Sequence, residues 1–150
     1  MLPDAVSSVL RRKSGDRKLL SIVPDASVYE AIALMAENSI GALLVVSNGM
    51  LVGIMSERDY ARKVVLQSRS SKDTRVSDIM TSPVVTVSPA HTVEECMRLM
   101  TDKRIRHLPV IEGATIAGIV SIGDLVRSVI TVQGETIQYL QQYINGHYQG

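Results

Sequence analysis

Apolar positions in this chain recur first at helical spacing and then as short unbroken runs, and the same succession of spacings is then written a second time. After Asp4, the residues Val6, Val9 and Leu10 mark one face of a short helix that Ser14-Gly15-Asp16 interrupts. Leu19 to Val23 reads as a strand stopped by Pro24. Ser27 and Glu30 then form a capping box that opens a helix with Val28, Ala31, Ile32, Leu34 and Met35 on its apolar face, ending near Asn38. Two β-rich runs, 42–46 and 51–55, are joined through Asn48-Gly49, which tolerates the positive φ of a tight hairpin. Beyond Ser56 a second helix runs through Tyr60, Val64 and Val65, so the unit is β-α-β-β-α.

An offset of 65 positions lays this unit on the second half without a gap: Pro24/Pro89, Val28/Val93, Leu34/Leu99, Val45/Val110, Gly53/Gly118, Ser56/Ser121, Asp59/Asp124 and Arg62/Arg127. Thr92 and Glu95 rebuild the capping box, and Val6–Leu10 has a counterpart in Val76–Met80. Two copies are too few for a solenoid, so the expected fold is α/β in the α+β sense, with the copies packed about a pseudo-twofold axis. The expected divisions are an N-terminal helix and lead-in (1–18), repeat 1 (19–66), a linker with a short helix (67–83), repeat 2 (84–132) and a C-terminal helix (133–150). The stripe Ile137, Leu140, Ile144 defines that last helix, whose Tyr139 and Tyr143 either pack on their own domain or meet a second protomer.

Composition narrows the function. A net charge of +1 gives no field that recruits nucleic acid, and without Trp or Phe only five Tyr are available for stacking. Cys96, the single cysteine, falls on an apolar helical stripe, which suits a core residue in a reducing compartment. No apolar run is long enough for a membrane span and no leader pattern opens the chain, so the expectation is a soluble, cytoplasmic protein. His91, His107 and His147 share no metal-ligand spacing, and no Gly-rich phosphate loop follows a strand. No metal and no catalytic group are therefore expected.

The chemistry that stands out is doubled: Gly53-Ile54-Met55-Ser56-Glu57-Arg58-Asp59 and Gly118-Ile119-Val120-Ser121-Ile122-Gly123-Asp124. Each places a hydroxyl, a carboxylate and helix-start amides together. That combination caps a helix or holds the hydroxyls and phosphate of a nucleotide, and one Asp can do both. With Arg106-His107-Leu108-Pro109-Val110 entering the second strand of the second copy, the chain from about Val6 to Val132 resembles a tandem pair of CBS domains. The resemblance implies a regulatory module that binds AMP, ADP, ATP, NAD(H) or S-adenosylmethionine between repeats. It implies one site of Ile54, Ser56, Arg58 and Asp59 with Thr81, Val85, Ile105, Arg106 and His107. The mirror site would be Ile119, Ser121 and Asp124 with Lys18, Leu20, Ile40, Gly41 and Ala42. Arg58, Arg106 and His107 give way to Gly123, Gly41 and Ala42 at the mirror positions, so the Asp59 site is expected to prefer a phosphate and the Asp124 site to take a bulkier or less charged adenosyl ligand or to stay empty. The implied role is signalling to an unidentified downstream protein, as a homodimer. The competing classes are a constitutive scaffold with unused clefts, an enzyme and a nucleic-acid binder.

Overall fold

The computed structural model describes residues 4–14 and 19–131. Its elements are α1 (Val6–Ser14), β1 (Ser21–Ile22), α2 (Val28–Asn38), β2 (Ala42–Ser47), β3 (Met50–Ser56), α3 (Glu57–Tyr60), α4 (Val76–Ile79), α5 (Val93–Lys103), β4 (His107–Glu112) and β5 (Thr115–Ser121). A helix, α6, covers residues 122–131. The C-terminal stripe, Arg17, Lys18 and His147 lie outside the described residues.

The expected elements form for the expected reasons. Ser27 accepts the Glu30 amide at the head of α2, and Thr92 and Glu95 complete a reciprocal capping box at the head of α5. Both helices end in a left-handed residue, Ser39 and Arg104, which stand at equivalent positions of the two copies. Asn48 and Gly49 take φ of 52° and 77°, the positive values a tight β2–β3 hairpin requires. One helix was expected beyond Ser56; instead α3 widens into a π-helical turn over Ala61–Val65.

The copies differ at their first strand. In the first, β1 pairs in parallel with β2 (Ser21 with Leu44, Ile22 with Val45), giving the order β1-β2-β3. In the second, only an isolated bridge, Val87 with Val110, stands at the place of Ile22 with Val45, and the sheet is β4-β5 alone. Proline explains the loss: Pro109 occupies the position of Leu44 and has no amide proton to extend the ladder backward from that bridge. The expected β-α-β-β-α order is thus complete only in the first copy.

The chain divides into two compact units, one of residues 19–86 and 111–117 and one of residues 4–14, 87–110 and 118–131. In the first, Val28, Ala31, Met35, Leu43, Val45, Met55, Val64, Val76 and Ile79 form the core. In the second, Val6, Val9, Val93, Cys96, Met100, Leu108, Val110, Val120 and Leu125 are buried. Each Val, Leu, Ile or Met among them contributes about 1.5–3 kcal/mol of transfer free energy on burial.

Each short lead-in helix joins the unit of the copy it does not precede. α4 belongs with the first copy, where Val76 N donates to Ala26 O (2.9 Å) and Val28 N to Thr74 O (2.8 Å). α1 belongs with the second, where Val6 N donates to His91 O (2.8 Å) and Val93 N to Asp4 O (2.8 Å). Gly53 and Gly118 make room for these helices: a β-carbon at Gly53 would lie 2.5 Å from Met80 Sδ, and one at Gly118 would lie 2.8 Å from Leu10 Cδ2.

Candidate functional site

In the first unit, β3 ends at Ser56 and the chain turns at once into α3. Ser56 Oγ accepts the Asp59 amide (3.1 Å), while Asp59 Oδ2 accepts the Ser56 amide and hydroxyl (both 3.0 Å). This reciprocal cap fixes the carboxylate against the end of the strand. Asp59 Oδ1 faces other donors, the Thr81 hydroxyl at 3.2 Å and Lys63 Nζ at 3.2 Å. Thr81 is held in place by a two-way backbone bridge to Ile54 (3.1 and 2.8 Å). Ile54, Ser56, Asp59 and Thr81 therefore converge. Ala42 pairs in register with Ser56, and Gly41 O accepts the Glu57 amide (3.0 Å), so these two neighbour the Asp59 turn of their own unit. Ile40 follows α2 and donates to Met35 O (3.1 Å). Leu20 and Val85 are half-buried, and Arg58 is exposed.

The second unit repeats the cap with different surroundings. Ser121 Oγ accepts the Asp124 amide (3.1 Å), and Asp124 Oδ2 accepts the Ser121 amide (2.8 Å). Lys13 Nζ, from the last turn of α1, donates to Asp124 Oδ2 (2.7 Å) and to Ile119 O (2.9 Å). Arg127, one turn along α6, donates to Asp124 Oδ1 (2.7 Å). The Asp124 side chain is only 7% exposed. Burial alone would raise its pKa, but hydrogen bonds from Lys13 and Ser121 and the Lys13 charge outweigh that and hold the carboxyl below its usual range. Beside this cluster Asp4 bonds Arg12 (2.9 Å) and Ser128 (2.7 Å), which ties both ends of α1 to α6. Ile105 caps the end of α5 through Met100 O (3.0 Å), and Arg106 O accepts the Ile122 amide (2.9 Å), placing Arg106 and His107 beside the Asp124 turn.

His107 does not bring the positive charge expected of it at neutral pH. Burial first, and then the Lys13 charge, push its pKa below 6.5, against the opposing pull of Asp124. His91, expected at the surface, is half-buried and receives the Ser88 amide on Nδ1 (2.9 Å). Cys96 is buried and its thiol is pushed up to about 11 by burial, which makes it a poor nucleophile. Among the described residues no three His, Cys, Asp or Glu side chains gather as a metal site, and no helix is long and apolar enough to cross a membrane.

Sequence reasoning missed Lys13, Lys63 and Arg127 as partners of the two carboxylates. Lys63 and Arg127 had a readable signal, lying four and three residues beyond their Asp on a helix. Lys13 had none, being more than a hundred positions away from Asp124 in a helix whose packing partner spacing does not reveal.

A family model described as CBS domain matches residues 6–66 and 76–131. The CBS domain-containing protein CBSX3, mitochondrial, of Arabidopsis thaliana is 46% identical over 150 residues, covering 95% of this chain and 73% of its own length. Among solved structures, a protein with CBS domains from Burkholderia ambifaria is 52% identical with a TM-score of 0.80, over 85% of this chain and 95% of the other. The CBS domain pair of protein MJ0100, solved with 5′-methylthioadenosine and S-adenosyl-L-methionine, is 25% identical with a TM-score of 0.74, over 85% of this chain and 97% of the other.

Proposed function

The chain belongs to the CBS-domain family, with two copies of the domain, and from that premise we propose that it is a non-catalytic regulatory module that senses an adenosine-containing ligand and signals to a partner protein. The observation that carries the reading is the division of labour within each Asp. Oδ2 caps the helix, and in Asp124 also accepts Lys13, whereas Oδ1 of Asp59 meets Thr81 and Lys63 and Oδ1 of Asp124 meets Arg127. A carboxylate used only as a cap engages a single oxygen. One that also accepts ribose hydroxyls needs an oxygen outside the cap, with neighbouring donors for phosphate or water. The binding of two adenosyl compounds by the MJ0100 pair supports the ligand class.

AMP, ADP, ATP, NAD(H) and S-adenosylmethionine are the candidate ligands, with ribose at Asp59 or Asp124. Exposed Val65 and Leu66 at the end of the π-helical turn, with Val126 and Ile130 on α6, support a homodimer. The lone buried thiol fits a reducing compartment such as the cytoplasm. Ligand alters the signal only through different affinity for two states of the module.

The test is a thermal-shift panel of these compounds on the wild type, Asp59→Ala and Asp124→Ala. A ligand at about 100 times its Kd raises stability by roughly 2.7 kcal/mol, and the expected result is a shift in the wild type that one or both substitutions remove. No shift with any adenosyl compound would instead favour a constitutive scaffold, and an undiminished shift in both variants would sink the site assignment.

A further inference from the structure

Helix α6 has two faces. Asp124, Leu125 and Ser128 are buried in their unit, whereas Val126 and Ile130, one turn apart in a single apolar row, stand 40% and 61% exposed. Beyond the end of α6 at residue 131, residues 132–136 lead to Ile137, and Leu140 and Ile144 follow it at helical spacing in the sequence. Gly134 interrupts that connection, and helices joined by about 2–8 residues lie antiparallel to one another. A helical stripe from Ile137 to Ile144 extends about 10 Å, enough to overlie the roughly 6 Å between Val126 and Ile130. Tyr139 and Tyr143 fall on a neighbouring face, about a third of a turn away, so the aliphatic residues can pack while the phenol hydroxyls stay in water. Two exposed side chains are well short of the roughly 800 Å² per partner that a stable interface between separate molecules buries. A segment tethered by a few residues needs no such area, because it meets the row at an effective concentration on the order of millimolar.

We infer that the occupant of the Val126–Ile130 row is the chain's own C-terminal segment, which docks as a helix antiparallel to α6 with Ile137 against Ile130 and Ile144 toward Val126. Of the two sequence-based alternatives for that segment, this selects its own domain over a second protomer. It also takes Val126 and Ile130 out of the surface offered to a second copy and leaves Val65 and Leu66 for that contact. The inference is independent of any ligand.

The test is the rate of disulfide formation under mild oxidation in full-length double variants: Val126→Cys with Ile144→Cys, Ile130→Cys with Ile137→Cys, and the mismatched Ile130→Cys with Ile144→Cys. Cys96 stays out of the exchange, being buried with its thiol pushed up to about 11. The first pair is expected to close about tenfold or more faster than the mismatched pair although its loop is the longer one, an order that chain proximity alone would reverse. Equal rates, the reverse order, or no disulfide in any pair would overturn the inference. The oxidation is run on a mixture of ¹⁵N-labelled and unlabelled protein. Linked peptides carrying one isotope throughout are expected, and mixed pairs would make a second copy the occupant and overturn it. A measurement without cysteines is peptide-resolved hydrogen exchange of residues 137–144 in the wild type and in Ile130→Asp, an exposed position whose substitution spares the core. Exchange there should quicken about tenfold or more in the variant, and an unchanged rate would equally defeat the docking.

Discussion

At the scale of single residues, the second unit stores a pH response. His107 is held neutral by burial and by Lys13, with Arg106 adding to the same direction and Asp124 opposing it. A histidine whose folded pKa lies below 6.5 binds its proton more readily unfolded, so its contribution to stability is intact above that value and is lost as pH falls through the window beneath it. Asp124 and Asp4, also depressed, add stability that is present above the ordinary carboxylate value and lost only in stronger acid. The two ranges are separable. Melting temperature should fall as pH drops below about 6.5, and His107→Gln should flatten that decline, while Asp124→Asn should lower stability at neutral pH and flatten only the steeper loss below about pH 4. A melting profile whose slope between neutrality and pH 5 is the same in His107→Gln and the wild type would refute the account of His107.

At the scale of elements, the paired glycines explain a feature of the repeat that spacing alone records without cause. Gly53 and Gly118 recur because a side chain there would collide with the lead-in helix, at Met80 in one unit and Leu10 in the other. Gly118→Ala is therefore expected to cost about 1–3 kcal/mol by overpacking, and Leu10→Ala in the same chain to recover part of the loss. Denaturant midpoints of the two single variants and the double check this, and strictly additive losses would count against contact between the two positions. Much of the fold was legible because its causes are local: caps at Ser27 and Thr92, a hairpin at Asn48-Gly49, and apolar stripes with helical period. The missing first strand of the second copy was written in the sequence as Pro109, but its effect depends on which neighbour needs that amide, a fact of pairing rather than of periodicity. The candidate site divides the same way. Ser56 with Asp59 and Ser121 with Asp124 are local and were readable, whereas Lys13 reaches Asp124 only through the packing of α1.

At the scale of the whole molecule, the exchange of lead-in helices makes the N-terminal segment a part of the second copy's unit. Val6 is fully buried and Val9 is 4% exposed in α1, Leu10 covers Gly118, Asp4 O accepts the Val93 amide, and Lys13 donates to Ile119 O and Asp124. Losing the two valines alone removes about 3–6 kcal/mol of burial, comparable to the whole stability of a small domain. Removing residues 1–14 should thus strip protection first from α5, β5 and α6, and leave α2 and β2 near their original exchange rates, because their core is closed by Val76 and Ile79 of α4. Hydrogen exchange resolved by peptide on the full chain and the truncated one distinguishes the outcomes. Loss confined to α2 and β2 would mean that α1 serves the copy it precedes, contrary to the bonds from Val6 to His91 and from Val93 to Asp4.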